Sequence, residues 1–226
     1  MDTSFVSVSG FNNSVDWIIQ DSNGKYLVAG TFTTYDGVTV NRIARLNYDG
    51  SLDTTFNTGS GFNNNVYCII ALSSGKYMVS GAFITYNGVS ANRIIRLNSD
   101  GTRDTSFVYG TGFNQQIWSI VEQSDGKVVA GGIVSSYNGT ACKEIVRLNT
   151  DGTLDNTFSI GTGLSASGLI YDMKLTPEGK ILIGGNFRTI NGISAKSVAL
   201  LNSDGSVDTS FNCGGVDNVV YAVAMD

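Results

Sequence analysis

The chain has 226 residues, enough for one large domain or two small ones with a sizeable core. Its 42% hydrophobic and 10% aromatic content excludes a disordered chain, and a formal net charge of −5 with no basic run argues against nucleic acid or anionic membrane as a partner. There is no histidine, which removes every mechanism that needs an imidazole, including Ser-His-Asp, Cys-His and His-ligated zinc.

The opening MDTSFVSVSG has neither the basic head nor the apolar middle of a signal peptide, and no apolar run approaches the about 18 residues of a membrane span. Its DTSF (2–5) is the first copy of a recurring segment. The others are LDTTF (52–56), RDTSF (103–107), LDNTF (154–158) and VDTSF (207–211). The aspartates Asp2, Asp53, Asp104, Asp155 and Asp208 stand 51, 51, 51 and 53 residues apart. Lys25, Lys76, Lys127 and Lys180 keep the same step, as do Gly30, Gly81, Gly132 and Gly185, which end apolar runs. Turns of the type Y-[DN]-G or I-N-G end at Gly37, Gly88, Gly139 and Gly192. Turns of the type L-N-x-D-G end at Gly50, Gly101, Gly152 and Gly205. The repeats run 2–52, 53–103, 104–154 and 155–207, with a partial one at 208–226.

Within a repeat the apolar runs are short and rich in β-branched residues. In the second they are NVYCIIAL (65–72), KYMVSGAF (76–83), NRIIRLN (92–98) and RDTSFV (103–108), separated by SSGK, TYNGVSA and SDG. Such runs between Gly, Asn and Asp turns predict four antiparallel strands in a meander, and the Asn-Gly and Asp-Gly pairs suit hairpins with positive φ. The first strand carries Val15 to Ile18, Val66 to Ile69, Ile117 to Ile120 and Ile170 to Met173, apolar on both faces as an innermost strand must be. The expected fold is all-β, a β-propeller of four-stranded antiparallel blades forming one domain over 1–226. A tandem β-sandwich is the rival, disfavoured because a 51-residue unit does not easily bury two sheets. DTSF at the start reads as an outer strand and NVVYAVAMD at the end as an inner one, giving about five blades. Three outcomes are open: an irregular five-bladed ring, an open arc completed by a partner, or a chain cut from a longer protein.

The order [LRV]-D-x-[ST]-F, G-F-N, [ST]-x-G-K, Gly-x-Phe, Y-N-G and R-I-x-R-L-N-x-D-G resembles the delta-sixty repeat β-propeller, found in bacterial surface, secreted and phage proteins. The resemblance covers essentially the whole chain and implies a propeller fold without implying a reaction. A looser likeness to kelch repeats lies in the glycine pairs Gly131-Gly132 and Gly184-Gly185.

Candidate binding residues lie where the Y-[DN]-G turns share an end of the fold with the F-N loops. They are Tyr35, Tyr86 and Tyr137 beside Asn12, Asn63 and Asn114. Aromatic faces with amides hold sugars or peptides, although residues repeated in every blade more often pack the blade itself. Asn47, Asp49 and Asp53 faintly resemble a calcium loop but lack its terminal glutamate, so a hairpin tip is expected and no metal or cofactor. Arg42, Arg45, Arg93, Arg96 and Arg147 on the third strand are expected to pair with the repeated aspartates as exposed ion pairs of at most about 1 kcal/mol each. Cys68, Cys142 and Cys213 read as small buried or loop residues. Residues that break the pattern carry more functional weight. Asp16 stands where Tyr67, Trp118 and Tyr171 stand, Asp172 where Trp17, Cys68 and Ser119 stand, and Glu122 ends an inner strand.

These features predict a non-enzymatic structural or recognition module of a bacterial surface protein or phage virion, of the tail or head fibre type. It would bind a protein or glycan partner at one end of the propeller, with no nucleic acid and no membrane insertion, and other chains would complete the ring. A carbohydrate-active enzyme using the irregular carboxylates, or a cytoplasmic kelch-like interaction hub, is the alternative.

Overall fold

A computed structural model describes residues 9–165, 168–211 and 214–225. The DTSF copy at 2–5 and Cys213 lie outside the described residues. Among the described residues all regular structure is β, and no helix is long and apolar enough to cross a membrane. The chain is laid out as two compact units, Met1–Phe107 and Val108–Asp226.

The first unit contains β1 (Val15–Gln20), β2 (Tyr26–Gly30), β3 (Thr34–Tyr35), β4 (Val38–Thr39) and β5 (Ile43–Leu46), then β6 (Val66–Ala71), β7 (Tyr77–Gly81), β8 (Thr85–Tyr86), β9 (Val89–Ser90) and β10 (Ile94–Leu97). The second contains β11 (Ile117–Glu122), β12 (Val128–Gly132), β13 (Ser136–Tyr137), β14 (Thr140–Ala141) and β15 (Ile145–Leu148), then β16 (Leu169–Leu175), β17 (Ile181–Asn186), β18 (Thr189–Ile190), β19 (Ile193–Ser194) and β20 (Val198–Leu201). Each repeat has the same antiparallel plan, β1-β2-β5, β6-β7-β10, β11-β12-β15 or β16-β17-β20, with the apolar second strand in the middle. A two-residue hairpin branches off between the second and third ladder strands. Its turn pairs, such as Asp36-Gly37 (φ 46° and 80°) and Asn138-Gly139 (φ 48° and 77°), are both left-handed, the backbone a tight hairpin demands.

The expected fourth strand is reduced to a single bridged residue, Leu52, Arg103, Leu154 or Val207, opposite the end of the third strand. The cause is the aspartate that follows. Asp53 Oδ1 accepts from the amide and hydroxyl of Thr55 at 3.0 and 2.6 Å, and Phe56 N donates to Asp53 O at 3.2 Å. These local bonds bend the chain into a turn and leave the Phe as an apolar plug.

The inner strands are bulged at one place. Val15 pairs with Gly30 and Trp17 with Ala29, so Asp16 has no partner; Tyr67, Trp118 and Tyr171 are skipped in the same way. The bulge presses the inner strand onto the end of the second strand. A Cβ at Gly30, Gly81, Gly132 or Gly185 would stand 2.2, 2.2, 2.1 or 2.0 Å from a backbone oxygen of Ser14, Asn65, Gln116 or Leu169. That is why every apolar run of the second strand ends on glycine.

Sheets stack through these strands: β6 lies over β1 and β2, and β16 over β11 and β12. In the second unit Val129, Ile145, Ile170, Met173, Ile183 and Leu201 belong to one buried cluster. The C-terminal NVVYAVAMD, expected as a strand, forms no ladder across its described residues. It still lies where an inner strand belongs: Val220 N donates to Gly185 O at 2.9 Å, and the methyls of Val220 and Val223 crowd Gly184.

Candidate functional site

The repeated aspartates are structural knots. Asp53 Oδ2 accepts from Lys25 Nζ and Arg45 Nε, both at 2.6 Å. Asp104 joins Lys76 (2.8 Å) and Arg96 (2.6 Å), and Asp155 joins Lys127 and Arg147, both at 2.8 Å. The pairing expected for Arg45, Arg96 and Arg147 is present, but the pairs are not exposed ones, since the three aspartates are 4–6% exposed. Each guanidinium also lies over the phenylalanine three residues after its aspartate, 4.8 to 5.1 Å from the ring centre of Phe56, Phe107 or Phe158. Burial by itself would raise these carboxyls. Hydrogen bonds from the lysine, the Thr or Ser two residues on and the arginine outweigh it and hold all three well below the usual carboxylate range. Arg42 does something else: its Nη1 donates to Phe62 O at 2.8 Å. In the fourth repeat Leu200 replaces the arginine. Among the described residues Asp208 pairs with Lys180 and Ser210, which bring its pKa to about 2.

The structure brings the two loop sets together, with the tyrosine rings turned inward and the asparagines exposed. Phe11, Phe62 and Phe113 form bridges with Tyr35, Tyr86 and Tyr137, their rings 4.5 to 4.6 Å apart. The three tyrosines are 2% exposed, and their hydroxyls donate to the carbonyls of Gly50, Gly101 and Gly152 at 2.5 to 2.6 Å. Asn12 Oδ1 accepts from Thr33 N and Thr34 N, Asn63 Oδ1 from Ile84 N and Thr85 N, and Asn114 Oδ1 from Ser135 N and Ser136 N. The six side chains thus tie each repeat's loop to its own hairpin, the rings from inside and the amides at the surface.

The calcium-like stretch is likewise engaged. Asp49 Oδ1 accepts from Ser51 N and Oγ, Asn47 donates to Ser51 Oγ, and Asp53 is held in its knot. Among the described residues no three His, Cys, Asp or Glu side chains gather as a metal site. Cys68 is buried, and the half-buried Cys142 thiol is pushed up to about 11 by burial and then by the Glu144 charge.

What remains is the skipped bulge position. Trp118 and Tyr171 stack with centroids 4.7 Å apart and planes 13° from parallel. Tyr221 adds a third ring, 4.9 Å from Tyr171 at 52°, and is 70% exposed. The three form an aromatic stair that climbs from one inner strand to the next and ends open to solvent. Sequence reasoning singled out Trp118 and Tyr171 only as the background against which Asp16 is irregular. Tyr221 was missed, though it stands 50 residues after Tyr171 at the equivalent place. Asp172, beside the stair, is 5% exposed and fully bonded: Lys174 Nζ at 2.8 Å, Met173 N at 2.9 Å, Ser119 Oγ at 3.3 Å and Val223 N at 3.1 Å. Asp16 is exposed on β1 in the other unit, its carboxyl raised by partial desolvation. Glu122 is half-buried at the end of β11.

Tandem antiparallel sheets of one plan, stacked through bulged inner strands, define a β-propeller protein. The chain belongs to the family described as "Domain of unknown function (DUF5122) beta-propeller", whose profile matches residues 22–56, 72–107, 123–158 and 176–211. No curated protein matches it in sequence. Among solved structures it is similar to PorZ, an essential bacterial surface component of the type-IX secretion system of Porphyromonas gingivalis (13% identity, TM-score 0.57, 100% of this chain and 31% of that one). It is also similar to the WD40 β-propeller domain of Doa1 (17%, 0.54, 84% and 51%). A third is virginiamycin B lyase from Staphylococcus aureus (14%, 0.51, 90% and 57%). At these identities the likeness concerns the fold, and the chain spans only part of each relative.

Proposed function

We propose that the chain is a non-enzymatic recognition module, with repeats of the delta-sixty type, displayed on a bacterial surface or a virion, and that it binds a glycan on the aromatic stair of Trp118, Tyr171 and Tyr221. The stair carries the reading. The repeat-wide side chains of the knots and loops are bonded within the protein, whereas this stack stands on positions that the ladder does not use and ends on an exposed ring. Sugar rings offer the C–H faces that such aromatics stack against. PorZ, by description a bacterial surface component of the same fold, supports the setting.

A glycan array tests this. The wild type is expected to retain a defined set of glycans unchanged, and Trp118→Ala and Tyr221→Ala to weaken retention at least tenfold with an unaltered circular dichroism spectrum. Retention indifferent to both substitutions, or none by the wild type, would refute the glycan reading. An enzyme built on the irregular carboxylates is the alternative, with Asp16 exposed at the skipped bulge position of β1. It predicts cleaved glycans and loss of cleavage in Asp16→Asn.

A further inference from the structure

The sheet β1-β2-β5 has an apolar face whose counterparts in the later repeats are covered. Val15 is 37% and Ile18 59% exposed, whereas Val66, Ile69, Ile117, Ile120, Ile170 and Met173 are 2% exposed or less. Around them Phe11, Tyr26, Val28 and Leu46 line an open groove of 410 Å³.

The second unit shows what such residues pack against. A Cβ on Gly131 would stand 2.9 Å from Ile170 Cγ2 and 3.1 Å from Met173 Sδ, so the missing side chain makes a hollow that these two knobs enter. Gly184 is the same hollow one repeat later, where a Cβ would be 2.8 Å from the Cγ1 atoms of both Val220 and Val223. Val15 and Ile18 are the same pair of knobs by position. The resident of the Gly184 hollow is lightly held. It is one segment without a ladder, fixed near the hollow by Val220 N to Gly185 O, Val223 N to Asp172 Oδ2 and the Tyr221 ring against Tyr171. β1, by contrast, comes already paired to β2 with a whole sheet behind it, and so covers more apolar area when it docks.

We propose that Val15 and Ile18 of one copy seat on the Gly184 hollow of a second copy, displacing its residues 219–225 and joining chains head to tail. The two surfaces differ, so the contact is heterologous and growth is concentration-dependent rather than stopping at a symmetric dimer.

Sedimentation velocity over a concentration series tests the proposal. The wild type is expected to sediment as species heavier than one chain, growing with concentration. Ile18→Asp on the knob side and Gly184→Val on the hollow side should each weaken association at least tenfold. The double variant Val220→Asp, Val223→Asp, which loosens the resident segment, should strengthen it. Circular dichroism confirms that each variant is folded. A single-chain mass for the wild type and the double variant alike would overturn the proposal, as would association untouched by both Ile18→Asp and Gly184→Val.

Discussion

The Asp104 carboxylate accepts four hydrogen bonds, from a lysine, an arginine and the amide and hydroxyl of a serine, while being almost shut off from water. Removing its charge strands Arg96 and Lys76 without an anion. Asp104→Asn is therefore expected to cost about 1.5–3 kcal/mol, read as a lower urea midpoint with unchanged slope. Asp208, lacking an arginine partner, should tolerate the same change with a visibly smaller shift. The tyrosine pins act on a similar scale. Tyr86→Phe keeps the ring and leaves the buried Gly101 carbonyl without its donor, an expected loss of about 1–3 kcal/mol in the same assay. The aspartates were legible in the sequence because the arginines recur eight residues before them, but spacing alone gave no sign that the pairs are buried.

At the scale of elements, glycines with the same recurrence have different duties. Gly132 is barred from carrying a side chain by the Gln116 oxygen at 2.1 Å, whereas Gly139 has open space around it and only a left-handed φ of 77° to defend. Gly139→Ala should cost about 1–2 kcal/mol, and Gly132→Ala clearly more, because backbone must move. Thermal unfolding of the two variants side by side checks the order. Strand positions were readable from apolar runs and turn pairs because the second-strand runs are buried along nearly their whole length. The D-x-[ST]-F segment misled because its phenylalanine imitates a strand residue while Asp53 and its equivalents bond their own backbone. The aromatic stair was hidden for a related reason. A bulge interrupts the alternation on which strand reading depends, so nothing in the pattern marks Trp118, Tyr171 and Tyr221 as neighbours.

For the whole molecule, the three buried knots set the response to acid. Their folded pKa values lie below the about 3.9 of an unfolded aspartate, so their contribution is complete above that value and is lost as pH falls toward the folded ones. Stability to urea should be level from neutral pH down to about pH 5 and decline steeply below about pH 4; a Lys76→Met, Arg96→Met variant should decline less steeply. The skipped residue of each inner strand has an evolutionary corollary. Because the ladder closes around it, Asp16, Tyr67, Trp118 and Tyr171 occupy places where a side chain is free to change character while the framework beneath keeps its form. A lineage carrying this scaffold can exchange the side chain at that place, repeat by repeat, without renegotiating how it folds.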